Sequence, residues 1–562
     1  MSAAGRTAAA AAVRRSDRRA PALARHPAGP PVALGLLMVV TAVAHLRLNR
    51  GMVPFAEELA WAAEYRHLGS GMLDLWVGWF DPLARLTYNA LFATVGPTES
   101  LAYPLLALAS NLVLAGGVYW YCHHLGRPWS GVLVATTLLW MGPALYTLLW
   151  SLNSLNAVGM AALPVALVLL DRGGRRRDLL AMGALLVSMG FGGPVAVGVC
   201  AGVLAWTALG PAGERARMLV PGVPLAVYSL AYLVLPRAGG PSGGLHENIT
   251  ATPGHVLDSA GATLAAIGAQ IPSLAVLATP AAGHLLLALA ALAVAAGWSR
   301  LDPAARRRVI ALAAAAVAEW GLVALSRAQL ESPAASRYLV LGAVPALLIG
   351  VELTRAAGAR WAAAAAAALG VATAANAALL VDNAREFRTI FDRTTAELTG
   401  AELGMHAAPA DAGFPNSIEI GFLTPHSWSA ALERIGPSFA VAPDSIAAMP
   451  VYERAVVDRM LLDMGVARAA AAPGEGTVDG AACTTVIGTG EVPSRAAITV
   501  VTPLAGGAAT VNLRRFGPAA DADRGVAVPA GGHAVVTAAP DRASEPWRIV
   551  LAGSARVCRV RS

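Results

Sequence analysis

Two adjacent carboxylates, Glu57 and Glu58, follow directly on an apolar run at 32–48. Paired acids held at a membrane surface are candidates for a general base, and equally for a solvated turn of an ordinary loop. Asp81 stands before Pro82 in the aromatic segment Trp79-Phe80-Asp81-Pro82. It is placed either to orient a substrate or to cap the helix that the proline starts, with Arg85 one turn on as its ion-pair partner. Glu319 sits inside an apolar run beside Trp320. An ionisable residue there is a functional hypothesis by default; the alternative is a carboxylate that reaches outward to water or to Arg327. Arg327 and the pair Arg337-Tyr338 flank a short segment holding Glu331 and Pro333. The planar fork of an arginine clamps phosphate, or it anchors a helix end by snorkelling.

Other chemistries are excluded or weakened by what the chain lacks. All 42 basic residues counted as Lys+Arg are Arg. Without lysine there is no Schiff base and no Walker-type phosphate loop. No CxxC or CxxH spacing occurs among the four cysteines, so no thiolate metal site is expected, and His246-Glu247 alone is a weak metal signal. No cofactor is expected and no residues are assigned as metal ligands; the sequence does not fix metal dependence. Cys122 and Cys200 lie in or beside apolar runs, whereas Cys483 and Cys558 bracket the strand-like end of the chain. A disulfide between them is allowed outside the cytoplasm and would staple the first and last strands of that region.

The elements that position these groups are written in hydropathy. Of 562 residues, 56% are hydrophobic and 14% charged, and mean hydropathy is +0.57. A soluble chain is about one quarter charged, so this one needs an apolar solvent. Runs of span length, about 17–25 residues, fall at roughly 32–48, 100–121, 130–150, 155–170, 179–193, 194–210, 219–236, 281–297, 309–326, 337–353 and 361–382. About eleven transmembrane helices are therefore expected, after an Arg/Ala-rich disordered cytoplasmic tail at 1–31. Arg127, Arg172, Arg175, Arg176, Arg177, Arg215, Arg217, Arg300, Arg306, Arg307, Arg308, Arg355 and Arg360 all fall in alternate loops, as the positive-inside tendency requires. The net charge of +7 is thus topology and implies no nucleic-acid partner. Parity leaves outer segments at 49–99 and 237–280, and the C-terminal domain, 383–562, outside. Residue 384 opens a charged helical stretch, with further helical spacing at 427–435 and 449–465. From about 483 short runs such as Ala497-Ile-Thr-Val-Val-Thr and Trp547-Arg-Ile-Val-Leu alternate between Gly, Pro and Asp. They predict a small antiparallel β-sandwich closing a mixed α/β extracytoplasmic domain.

This plan resembles the GT-C superfamily of polyprenyl-phosphate-sugar-dependent integral membrane glycosyltransferases. The matching features, over 32–382, are a first span, an outer loop opening with paired acids (Glu57-Glu58), an aromatic segment before Asp81-Pro82 and Arg85-Leu86, many spans, and a late outer Arg337-Tyr338. Members often carry Asp-Asp or Asp-Glu where this chain has Glu-Glu. The C-terminal part is similar to the carbohydrate-binding β-domains attached to some such enzymes. The resemblance implies transfer of a sugar, with inversion, from a polyprenyl-phosphate donor to a cell-envelope glycan or glycolipid. Its site would comprise Glu57 or Glu58 as base, Asp81 as orienting group, and Arg327, Arg337 and Tyr338 on the donor phosphate, with Arg85 and Glu319 as secondary candidates. The sugar donor is then substrate rather than cofactor, and membrane lipid is the remaining partner. A different class, a transporter, flippase or scaffold with an outer carbohydrate-binding or sensory domain, predicts instead paired polar groups near the midplane on broken helices. Glu319 and the break Gly192-Gly193-Pro194 are its only signals.

Overall fold

The computed structural model describes residues 26–64, 73–76, 79–98, 101–238, 245–268, 280–329, 332–408, 414, 417, 420–421, 423–474, 482–494, 498–504, 506–518, 524–540 and 542–560. The expected tail before residue 26, Glu331, and the parts 239–244 and 269–279 of the second outer segment lie outside these. The chain divides into two compact units: 1–50, 70–84 and 103–385 form one, and 51–69, 85–102 and 386–562 the other.

The first unit is helical. Among the described residues, eight helices are long and apolar enough to cross a membrane, nine if the bent pair Pro128–Leu139 and Gly142–Leu149 is a single span. Helices occupy all eleven expected runs, but Arg175–Phe191 has 17 residues and Gly193–Ala208 has 16, and neither meets the span criterion. The tail ends sooner than expected, because the first helix starts at Gly29 with prolines in its opening turn. The apolar run at 361–382 and the charged stretch from 384 are one helix, Ala359–Gly404, of 46 residues. No proline interrupts it, so nothing in the backbone stops the helix where the hydropathy changes.

Packing in this unit depends on close backbone approach. A Cβ at Gly202 would lie 2.7 Å from the Ala311 carbonyl oxygen, and one at Gly198 would lie 2.8 Å from the Glu319 Cβ. Small residues one turn apart thus bring Gly193–Ala208 against Pro303–Arg327. The bend between Leu139 and Leu145 frees backbone groups that asparagines recover: Asn376 Oδ1 accepts from Gly142 N at 3.1 Å, and Asn383 Nδ2 donates to Gly142 O at 3.1 Å. Such recovery is what a broken span requires in lipid. Asn111 Nδ2 likewise donates to the Leu148 carbonyl at 3.1 Å.

Contacts sort the helix ends into two sets. At one end, strand β1 (Leu75–Trp76) pairs in parallel with β2 (Arg237–Ala238), joining the two segments expected outside. At the other end, residues of the Arg-bearing turns meet one another: His124 with Asp171, Arg217 with Asp178, and Arg355 with Asp302.

The second unit ends in two antiparallel sheets. One has strand order β5-β10-β7-β8 and the other β3-β9-β6-β11-β4. Their strands are β3 Ala467–Pro473, β4 Ala482–Val486, β5 Gly490–Ser494, β6 Ile498–Pro503, β7 Ala509–Arg514, β8 Val526–Val528, β9 Gly532–Ala538, β10 Trp547–Ala552 and β11 Ala555–Arg559. Strand structure therefore begins before 483, in an Ala-rich edge strand with little alternation to reveal it. β7, β9 and β10 alternate buried and half-buried residues; Leu513 faces Ile549 and Val511 faces Leu551 across the ladder. This is the period-two pattern of a sheet buried on one face. Helix Val451–Asp463 is moored by Asp458, whose carboxylate accepts the backbone N–H groups of Arg515, Phe516 and Gly517 at 2.8, 2.9 and 2.8 Å. Cys483 and Cys558 are joined, with Cα atoms 4.0 Å apart. They face each other on β4 and β11, so the bond holds an edge strand to its neighbour.

Candidate active site

Glu57 and Glu58 open the helix Glu57–Glu64, and the residue before them, Ala56, has φ of 51°. Among the described residues it is the one non-glycine residue with positive φ. The left-handed region costs an L-residue roughly 1–2 kcal/mol, so the surroundings must hold this turn in place. Glu58 supplies part of that hold. It is fully buried, accepts the Phe55 N–H at 3.1 Å, and accepts a hydrogen bond from the Tyr88 hydroxyl. Phe55 packs edge-on to Phe387 and Phe391, with centroids 5.9 and 5.6 Å away. Tyr88 comes from helix Pro82–Thr94 and also meets Trp61 at 5.3 Å. Arg85, one turn before Tyr88, is buried and stacks its guanidinium 5.7 Å from the Trp61 centroid.

Glu57 differs from its neighbour. It is half-buried, and its carboxylate has no hydrogen bond or ion pair among the described residues. The two acids are chemically alike, yet one is engaged by the fold and the other is left available.

The other candidates belong to the helical unit. Trp79 and Phe80 seat on the Gly192-Gly193-Pro194 break. A Cβ at Gly193 would come 3.1 Å from Trp79 Cβ and 3.3 Å from the Tyr228 hydroxyl, a fit tight enough that the neighbours would have to give by a few tenths of an ångström. Phe80 meets Tyr228 edge-on at 6.4 Å, and Arg327 holds its guanidinium 5.7 Å from the Trp79 centroid. The structure thus brings together Arg327, the aromatic segment that carries Asp81, and Tyr228, which sequence reasoning had not singled out. Arg337 is elsewhere, at the start of helix Ser336–Ala357. Its carbonyl accepts from Thr147 Oγ1 at 2.9 Å, the adjacent Ser336 Oγ accepts from Tyr146 N at 3.0 Å, and its guanidinium stands 5.5 Å from the Tyr338 ring centroid.

Glu319 requires a correction. It reaches neither water nor Arg327: it is fully buried, and both carboxylate oxygens lack a hydrogen-bond partner among the described residues. Arg327 lies eight residues along the same helix, about 12 Å at 1.5 Å per residue, too far for either side chain to bridge.

A charged cluster at the opposite helix ends was also missed. Arg308 donates through Nε to Glu352 Oε1 at 2.5 Å and through Nη2 to Oε2 at 3.4 Å. Tyr121 donates to Glu352 at 2.9 Å, and Arg308 also reaches Asp171 at 3.5 Å. Arg308, Glu352 and Tyr121 are all buried. Sequence shows only an arginine in a loop and a glutamate near a helix end; pairing across 44 residues carries no local signal.

Among the described residues, no group of three or more His, Cys, Asp or Glu comes together as a metal site. Compared with known proteins, the chain matches no family model, no curated protein and no solved structure. What the fold defines is a class: a mostly helical chain with, among the described residues, eight or nine apolar helices of membrane-crossing length, followed by a two-sheet antiparallel C-terminal region.

Proposed function

We propose that the chain is a membrane glycosyltransferase that moves a sugar from a polyprenyl-phosphate donor to a cell-envelope glycan or glycolipid. The cytoplasmic membrane is its location, with the Arg-bearing turns inside and the two-sheet region outside. The disulfide, which persists in oxidising compartments, and the gathering of the Arg-bearing turns at one set of helix ends support that placement.

The observation that carries the reading is the division of labour between Glu57 and Glu58. An acid that follows a span, sits on a conformationally constrained turn and is left unengaged beside a fully engaged neighbour suits a general base. Glu57 takes the proton of the acceptor hydroxyl. The hydroxyl oxygen forms a bond to the anomeric carbon as the bond from that carbon to the phosphate oxygen breaks, and polyprenyl phosphate leaves with the electron pair. One displacement inverts the centre. Charge growing on the leaving phosphate needs cations, which arginine side chains supply. Glu58 and Arg85 build the turn rather than touch the sugar. The test is a purified assay with polyprenyl-phosphate sugar. Glu57→Gln should lower the turnover rate by about 10²–10⁴, the usual worth of a general base. Full transfer by that variant rejects the assignment.

A second reading, a transporter or flippase, is favoured by Glu319, a fully buried carboxylate without a partner among the described residues, where intramembrane acids mark pathways. Substrate movement across proteoliposomes that is lost in Glu319→Gln and kept in Glu57→Gln selects it.

A further inference from the structure

We propose that the turns 172–178 and 211–218 form a docking surface for the headgroups of anionic phospholipid. The two turns are held together, since the Arg217 guanidinium pairs with Asp178 at 3.2 Å and reaches the Leu170 carbonyl at 3.4 Å. Around this joint some arginines serve the protein itself: Arg177 donates to the Arg172 carbonyl at 2.8 Å, and Arg172 stacks 5.4 Å from the Trp120 centroid. Arg175, Arg176 and Arg215 do not. All three are exposed, and none makes a hydrogen bond or ion pair among the described residues. The acids of these turns are Asp178, already paired with Arg217, and Glu214.

Arg175 and Arg176 also stand in the first turn of helix Arg175–Phe191. The positive end of the helix dipole disfavours cations there, so within the protein alone their position costs stability. An anion from outside removes that cost. What the anion is attached to follows from the next residues: Leu179 is 54% exposed, Leu180 53%, Met218 38% and Leu219 67%. Cations thus stand at the rim of an uncovered apolar belt, matching in order the phosphate and acyl chain of a lipid. Free phosphate satisfies the first and not the second. The inference rests on the membrane reading of the apolar helices and is independent of glycosyl transfer.

The test uses the full chain purified in a neutral detergent. Thermal unfolding is followed with added phosphatidylglycerol, phosphatidylcholine or inorganic phosphate, for the wild type and the triple variant Arg175→Gln, Arg176→Gln, Arg215→Gln. Phosphatidylglycerol should raise the wild-type Tm, and the shift should shrink as salt shortens the screening length. At roughly a fivefold affinity gain per arginine near an anionic surface, the triple variant should bind phosphatidylglycerol on the order of 100-fold more weakly, with its Tm in phosphatidylcholine no lower than the wild type's. Equal shifts from phosphatidylglycerol and phosphatidylcholine in the wild type overturn the proposal, whether or not the variant folds. So does an equal shift from inorganic phosphate, or a variant that keeps the full response.

Discussion

Two acids of the helical unit, Glu352 and Glu319, are buried to the same degree and treated in opposite ways. Glu352 accepts from Arg308 and Tyr121 and has Arg355 within 3.8 Å. Glu319, on the neighbouring helix, meets the bare backbone face at Gly198 and no donor among the described residues. The same contrast recurs between Glu58 and Glu57 at smaller scale. A carboxylate that holds structure is surrounded by donors, because a buried charge is tolerated only when paired and hydrogen-bonded. One left bare is not being used to hold the fold, and that identifies where to look for chemistry.

The largest effect should come from breaking the saturated pair. Arg308→Met takes the buried cation from Glu352, leaving it Tyr121 and the more distant Arg355, and should destabilise the protein by about 3–5 kcal/mol, read as thermal unfolding in detergent. Adding Glu352→Met should recover most of that loss, since both charges are then gone. If the single variant is as stable as wild type, the cluster is not what holds those helix ends.

Next is Tyr88→Phe. It removes one of the donors to buried Glu58 and should cost about 2 kcal/mol, the usual worth of a hydrogen bond to a charged group. It should also lower sugar transfer through the turn that presents Glu57, and a variant with normal stability and transfer would break the view that Glu58 is structural. Smaller still is Glu319→Leu. Replacing a partnerless buried carboxyl with a hydrocarbon should change stability by less than about 1 kcal/mol or raise it. A loss as large as that of Arg308→Met would mean that Glu319 has a structural partner after all, and the comparison would fail.

The smallest effect belongs to the sheet region. Arg514 grips Glu491 at 2.9 and 2.5 Å and holds its carboxyl below the usual range. A depressed folded pKa contributes stability above the unfolded value, about pH 4.3, and that contribution is lost as pH falls through the folded one. Glu491→Gln should therefore lower stability slightly at neutral pH and converge with the wild type as pH falls through the folded value, flattening the acid limb of a thermal-unfolding profile. The pair is partly solvent-exposed, which keeps the effect small.

Legibility in the sequence follows the range of the forces involved. Helices stand at all eleven expected apolar runs because twenty consecutive apolar residues are a local property. The strands from β6 onward lie where alternation places them, for the same reason. Helix ends were harder: Ala359–Gly404 runs through a change from apolar to charged sequence without a backbone signal. β3 escaped notice because a run of alanines carries no alternation to mark a strand. At the candidate site, the types and positions of Glu57 and Glu58 stand out directly, but their difference does not. It depends on Tyr88, thirty residues away, and on a backbone angle at Ala56. Glu352, Arg308 and Tyr228 were invisible as a group because each acquires its meaning from a partner remote in sequence.

The strand order has a consequence for how the sheet region is made. β4 has one neighbour, β11, and the two are separated by 75 residues from cysteine to cysteine. As the chain emerges from the ribosome, β4 appears early and waits through six further strands with its edges unpaired and a thiol uncovered. Nothing in between can serve as its template, because β6, the other neighbour of β11, never touches it. Until residues 555–559 arrive, that thiol is open to any oxidant and that edge to any passing strand. The order of synthesis thus sets the earliest moment at which this edge can be paired and its disulfide closed.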